Sequence, residues 1–325
     1  MPDSFVIGVD LGGTKIYTAL ANDRGEILAE IKIPTEAGGG VEHVIRRIMR
    51  TVEQVEKQSG VNMRPVCLGI GAPGPADSER GVVLQAPNLG WRDVPLQQIL
   101  EKSLQMPVAV GNDANLAALG EHVFGAGKGY ADLVYVTVST GIGGGLLLGG
   151  KLYSGITFSA GEFGHMTVDP EGPVCNCGNR GCLEALASGT AMARLAGELV
   201  EKGRGRGILQ VAGGKDQITA RSVSLAAREG DGDALAILAV AGRWLGIGLA
   251  NIINLLNPPL VLLGGGAMQA GKPLWEAMEK EIEKRALRAA RRGVQIIPAG
   301  LGQRSALMGA VALAIQSPAG SRQRT

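Results

Sequence analysis

Twice in this chain a β-rich stretch runs into a polar, glycine-rich turn and straight back out into another β-rich stretch. Phe5–Asp10 leads through Leu11-Gly12-Gly13-Thr14 into Lys15–Ala21, and Leu133–Val138 leads through Ser139-Thr140-Gly141-Ile142-Gly143 into Gly144–Leu148. A strand–turn–strand nucleus is stable only within its own sheet and core, so its repetition predicts an α/β chain of two domains. The 325 residues suffice for two such cores. Hydrophobic residues at 45% and charged residues at 19% are a globular balance. A formal net charge of +2 offers no basic surplus for a polyanion, so no nucleic acid partner is expected.

The rest of the chain fits an α/β alternation. Glu26–Ile33 reads as a third strand, Val41–Ser59 as an amphipathic helix, and Val66–Gly71 and Val108–Val110 as further strands. The last of these runs into a helix from about Asn112 to Phe124. A long helical stretch, Asp231–Leu256, is stopped by Asn257-Pro258-Pro259. Leu260–Leu263 is then a strand entering Gly264-Gly265-Gly266, and a closing helix follows Arg304-Ser305-Ala306. Residues 165 to 182 are too broken by Gly, Pro and Cys for either element, and the polar tail after about Ser317 is expected to fray. The start of the chain carries no basic, apolar and cleavage-site succession. Gly, Asn and charged residues interrupt every apolar run before the roughly 18 to 20 residues a bilayer demands. The sequence therefore predicts a cytoplasmic protein without a membrane partner. In that reducing setting a close cysteine cluster suits a metal better than disulfides. Cys67, alone in Val66-Cys67-Leu68, reads as a core thiol.

Four groups of residues carry chemistry. In Asp10-Leu11-Gly12-Gly13-Thr14-Lys15 the two glycines let backbone N–H groups approach phosphate oxygens, Thr14 and Lys15 can donate, and Asp10 can orient a metal-bound water. Alone this is an ordinary hairpin; the second loop, with Thr140 and Gly141, makes a pair able to clamp one nucleotide. A third run, Gly264-Gly265-Gly266-Ala267, can line an adenosine pocket or merely turn a strand into a helix. Asp113, between strand and helix, is either a helix-end carboxylate or the base that accepts a sugar hydroxyl proton during phosphoryl transfer. Asn112 beside it, with Asn88, Glu162 and Glu184, supplies the paired acceptors and donors that sugar hydroxyls need. His165, Cys175, Cys177 and Cys182 form a complete tetrahedral set for structural zinc, with no open position for a catalytic water. Closing that loop would fix Glu162 and Glu184 as well.

The combination Asp10-x-Gly-Gly-Thr-Lys15, Glu162-x-Gly-His165 and Cys175-x-Cys-Gly-x-x-Gly-Cys182-x-Glu184 resembles the signature of the ROK (repressor, open reading frame, kinase) sugar kinases, over nearly the whole chain and without departure. The resemblance implies an actin-like ATPase (ribonuclease H-like) fold of two domains with sugar and ATP in the cleft between them. The first domain is expected at 1–115 plus about 304–318, and the second at 116–303 with a zinc loop at 165–182; 319–325 form the tail. The resemblance further implies Asp113 as base and Asn88, Asn112, Asp113, Glu162, His165 and Glu184 around the sugar. Mg²⁺-ATP falls to Asp10, Gly12, Gly13, Thr14, Lys15, Thr140, Gly141, Gly265 and Gly266, zinc to His165 and the three cysteines, and a homodimer is expected. Only four residues precede Phe5, which disfavours a repressor with a preceding DNA-binding segment. Polyphosphate-using relatives generally lack the cysteine cluster, which favours ATP. Residues Gly111 to Glu121 are most similar to members that phosphorylate glucose, the alternatives being fructose, mannose, N-acetylglucosamine and N-acetylmannosamine, or a non-catalytic sugar sensor.

Overall fold

The computed structural model describes residues 4–318. By contacts the chain divides into two compact units, one made of residues up to Tyr135, Gly145–Gly161 and the chain from Ala299 on, the other of Val136–Gly144 and Glu162–Pro298.

The first unit begins with β1 (Phe5–Leu11), β2 (Lys15–Asn22) and β3 (Ile27–Pro34), an antiparallel meander. After α1 (Gly40–Ser59), β4 (Cys67–Ala72) returns parallel to β1. A small antiparallel sheet follows, of β5 (Ala76–Asp77), β6 (Val82–Ala86) and β7 (Trp91–Val94). Next come α2 (Leu96–Leu104), β8 (Val108–Asn112) parallel to β4, and α3 (Asp113–Phe124). The main sheet runs β3-β2-β1-β4-β8. Alternation along β1 sorts its side chains: Ile7, Val9 and Leu11 join Val44, Ile48 and Val52 of α1, while Val6 turns to the other face with Val311. Asp10, in step with Val6 and Gly8, therefore lies on the second face.

That second face is covered by the closing helix α11 (Ser305–Gln316), which also packs on α3. Small residues make the approach possible. A Cβ on Gly309 would stand 1.6 Å from the Leu116 carbonyl oxygen, and one on Gly120 2.3 Å from that of Ser305. Cys67 is buried there, its Sγ 3.2 Å from the Ser317 hydroxyl, as a core thiol should be.

A second sheet has the order β11-β10-β9-β12-β13, from β9 (Leu133–Val138), β10 (Ile142–Leu148), β11 (Lys151–Leu152), β12 (Leu260–Gly264) and β13 (Gln295–Pro298). The helices of the second unit are α4 (Leu183–Ala187), α5 (Gly189–Glu201), α6 (Arg206–Ala212), α7 (Ala220–Arg228), α8 (Gly232–Leu256), α9 (Lys272–Arg285) and α10 (Arg288–Arg291). Asp231 caps α8 by accepting from the Ala234 N–H at 2.8 Å, and Asn257 ends it with φ 42°.

Helix α8 is long and apolar enough to cross a membrane by length and composition, although Arg243 and Asn251 lie within it. Its glycines lie inside the helix: a Cβ on Gly242 would meet the Leu274 carbonyl at 2.2 Å, and one on Gly246 that of Met278 at 2.4 Å. They let α9 pack closely, and 61% of the apolar window is buried. This is the core helix of its unit. The tail after Ser317 falls, from residue 319 on, outside the described residues.

Candidate active site

In the first unit, the turn between β1 and β2 is closed by the Gly12 N–H donating to the Lys15 carbonyl at 2.9 Å. Thr35 holds it from the side, its hydroxyl donating to the Gly12 carbonyl at 2.6 Å and its N–H to the Thr14 carbonyl at 2.9 Å. Asn88 sits on a 3₁₀ turn, Pro87–Leu89, directly against this loop: a Cβ on Gly13 would lie 2.9 Å from the Asn88 Cβ. Only glycine leaves room for both. Asp10 is 8% exposed. Burial raises its pKa above the ordinary carboxylate value, against the pull of Lys15 and Lys32.

The end of β8 settles how Asp113 is presented. Asn112, not Asp113, is the helix cap: its Oδ1 accepts from the Asn115 N–H at 2.9 Å. Its Nδ2 donates to the Gly74 carbonyl at 3.0 Å and to Asp113 Oδ1 at 3.2 Å. Asp113 is the first helical residue, and its Oδ1 also accepts from the Ala114 N–H at 2.8 Å. The carboxylate is thus half-buried, its Oδ1 held by two donors, and set at the positive end of α3. Asn112 thus holds the start of α3, the Gly74 carbonyl and the Asp113 carboxylate together.

In the second unit the turn after β9 is shorter than the sequence suggested. Ser139 N–H donates to the Gly141 carbonyl at 2.8 Å, and strand β10 begins already at Ile142. Thr190 fixes Thr140 by donating to its carbonyl from both hydroxyl (2.8 Å) and N–H (3.2 Å). Glu184, in the first turn of α4, accepts from the Ile142 N–H through Oε2 at 2.8 Å. One carboxylate expected near sugar is thereby tied to the Thr140-Gly141 turn. Gly265 has φ 90°, and a Cβ there would stand 2.2 Å from the Val138 carbonyl, so strand β12 leaves the sheet beside the end of β9. Gly266 opens the 3₁₀ turn Gly266–Ala270.

His165, Cys175, Cys177 and Cys182 converge, their ligand atoms all within 4.8 Å of one another. Cys177 Sγ is 3.7 Å from Cys182 Sγ, and Cys175 Sγ 3.8 Å from His165 Nδ1. A tetrahedral zinc with Zn–S of about 2.3 Å separates its sulfurs by about 3.8 Å, so the set fits that ion. Backbone bends hold the loop: Cys175 N–H donates to the Asn179 carbonyl at 2.7 Å, and Gly181, at φ 69°, presses so close to Asp169 that a Cβ would overlap its carbonyl oxygen. Burial and the neighbouring thiols push Cys182 up to about 12, a crowding that a divalent cation at the centre reverses. The other imidazole nitrogen, Nε2, lies 3.9 Å from Glu162 Oε2. One ring can therefore ligate a metal through Nδ1 and face Glu162 through Nε2. Burial raises the Glu162 pKa, His165 opposes and Glu184 adds to it.

The model of the ROK family matches residues 6–317. This chain belongs to the ROK family. The ROK chain is 37% identical to the glucokinase of Halalkalibacterium halodurans over 95% of its own length and 94% of that protein. It superposes with a TM-score of 0.85 on a ROK family glucokinase from Streptomyces griseus crystallised with glucose and AMPPNP, at 36% identity, covering 97% of this chain and 100% of that one. It is also 35% identical to the xylose repressor of Caldicellulosiruptor bescii, over 95% of this chain and 78% of the repressor. The ROK protein has the actin-like ATPase fold, and it is a sugar kinase.

Two features of this ROK protein escaped the sequence reading. The Ile142–Glu184 bond joins a turn to a helix 42 residues on, and no local pattern announces it. Glu121, fully buried in α3, accepts from Ala126 and Gly300 N–H through Oε2 (3.0 and 2.9 Å) and from Leu301 N–H and Ser305 Oγ–H through Oε1 (2.9 and 2.7 Å). It ties the far end of the Asp113 helix to the segment that leads into α11. A glutamate inside a stretch otherwise apolar was the available signal.

Proposed function

We propose that this ROK protein phosphorylates glucose from ATP, with Asp113 as the general base. The observation that carries the reading is the Asp113 carboxylate, oriented by Asn112 and Ala114 at the start of α3 in a chain so similar to glucokinases. As the sugar hydroxyl oxygen forms its bond to the γ-phosphorus and the bond to ADP breaks, the hydroxyl proton passes to Asp113. Asn88, Asn112, Asp113, Glu162, His165 and Glu184 are assigned to the sugar hydroxyls, with Asn112 also holding the Asp113 carboxylate. Asp10, Gly12, Gly13, Thr14, Lys15, Thr140, Gly141, Gly265 and Gly266 are assigned to the nucleotide, and the turn geometries at Gly12, Gly13 and Gly265 support it. Bound Mg²⁺ would supply neutralisation of the phosphate charge. Zn²⁺ is assigned to His165, Cys175, Cys177 and Cys182, where it folds the loop and steadies Glu162 through His165. The family resemblance further supports a cytoplasmic homodimer whose partners are small molecules.

The test is phosphorylation from Mg²⁺-ATP across a panel of hexoses and N-acetylhexosamines, with Asp113→Ala as control. Glucose should lead, and the variant should lose about two to four orders of magnitude in kcat while sugar binding persists. Preference for another panel member reassigns the substrate. Sugar binding without turnover in the wild-type chain selects a sensor instead, the reading favoured by the likeness to the xylose repressor.

A further inference from the structure

Cross-strand register places a residue outside every glycine loop beside the phosphate-binding turn. Asp10 of β1 pairs with Tyr17 of β2, and Tyr17 pairs with Lys32 of β3. Directly paired residues of an antiparallel sheet share a face, so Asp10, Tyr17 and Lys32 stand in one row, with Lys15 two residues before Tyr17 on the same face. Lys32 is exposed, but its ammonium is held against the sheet. It lies over the Tyr17 ring, 4.0 Å from the centroid, with the Lys15 ammonium 5.9 Å from the same ring.

A second carboxylate on this face is already engaged. Glu30, two residues before Lys32, accepts from the Tyr17 hydroxyl at 2.6 Å and from Arg304 Nη2 at 2.7 Å. Arg304 Nε donates to the Tyr17 oxygen as well, at 3.3 Å. Among the described residues neither Lys15 nor Lys32 forms an ion pair with a carboxylate. The row therefore presents two ammonium groups and a buried aspartate on one face, and that combination calls for an anion carrying its own cation, as a metal-bound polyphosphate does.

We propose that Lys32 is a second phosphate-contacting cation of the donor site, seated on Tyr17 and acting with Lys15 on the phosphate chain of the nucleotide. Tyr17 is the platform, and the Glu30–Arg304 pair fixes the tyrosine so that the platform does not turn. The role rests on the kinase reading above and adds to it a residue of β3. Lys15 adjoins the glycine turn in sequence, whereas only sheet pairing brings Lys32 there.

Lys32→Met and Lys32→Arg are compared with wild type by equilibrium titration with Mg²⁺-AMPPNP and with Mg²⁺-pyrophosphate, and by steady-state kinetics. Lys32→Met should weaken nucleotide binding and raise KM for ATP about ten-fold, change KM for sugar less than two-fold and lose the same factor for pyrophosphate. Lys32→Arg should recover most of the affinity, and added salt should weaken the wild type more than the Met variant. Loss of nucleotide but not pyrophosphate affinity would place Lys32 against the nucleoside and overturn the proposal. So would Met-variant affinities within two-fold of wild type, or equal defects in Arg and Met variants with unchanged thermal unfolding. A wild-type protein that binds neither probe would instead refute the kinase reading.

Discussion

Replacing Glu121 by Gln changes one atom, and the structure says what that atom is worth. The two carboxylate oxygens accept four hydrogen bonds, and the site is fully buried, so no water replaces a lost partner. An amide keeps one oxygen. If the NH₂ took the place of Oε2, two backbone donors, Ala126 and Gly300, would be orphaned. In the place of Oε1 it would face Leu301 N–H and the Ser305 hydroxyl, but that hydroxyl is already 2.9 Å from the Gly302 carbonyl and can turn to it. The cheaper arrangement therefore leaves one orphaned N–H, at about 1–3 kcal/mol, and turns the remaining charge-assisted bonds into neutral ones roughly half as strong. The sum is about 3–4 kcal/mol, which corresponds to a fall in Tm on the order of 6–12 °C. Thermal unfolding gives the total. Hydrogen exchange locates it: Leu301 should lose protection while Ala126 and Gly300 keep most of theirs. Exposed Glu279→Gln serves as control and should stay within about 0.5 kcal/mol. A Glu121→Gln protein within 1 kcal/mol of wild type, or with Leu301 still protected, would refute the reasoning.

Metal removal should act through the loop. A chelator, or Cys177→Ser, should lower metal content from one zinc per chain towards none and weaken sugar binding by about ten-fold or more while nucleotide affinity stays, as measured by metal analysis and parallel titrations. Undiminished sugar affinity in the metal-free protein would detach Glu162 from the zinc knot. Asp10 links stability to pH. Its folded pKa is raised by burial, so its ionised form costs stability: the cost is absent below the ordinary carboxylate range and grows as pH rises through it. Asp10→Asn should therefore be more stable than wild type at pH 7, on the order of 1 kcal/mol, with the gain vanishing near pH 3 while nucleotide binding falls. A gain independent of pH would contradict the linkage.

Much of the molecule can be read along the chain because its signals are local. The glycine turn at 12–13, the strand-to-helix step at 111–115 and the cysteine spacing each lie within a few residues of one another, and the alternations of period 2 and 3.6 marked β1, β2 and α1. A glycine in a sequence does not say whether it ends a helix or lets another helix approach. In α8 only the position of α9 decides that Gly242 and Gly246 belong inside. The same holds for charges. Sequence spacing alone identifies Asp113 as a carboxylate at a helix start, but whether it or Asn112 takes the cap depends on which side chain reaches the Asn115 N–H. The partners of Glu121 are set only when the chain returns at Gly300 to surround it, and Lys32 looks like any edge-strand lysine until two sheet registers set it in one row with Tyr17 and Asp10. Residue type and near spacing, which act through bonds, were settled by the sequence. Which distant backbone supplies a donor and which ring carries a cation depend on contacts through space, and those were decided only when the tertiary structure closed.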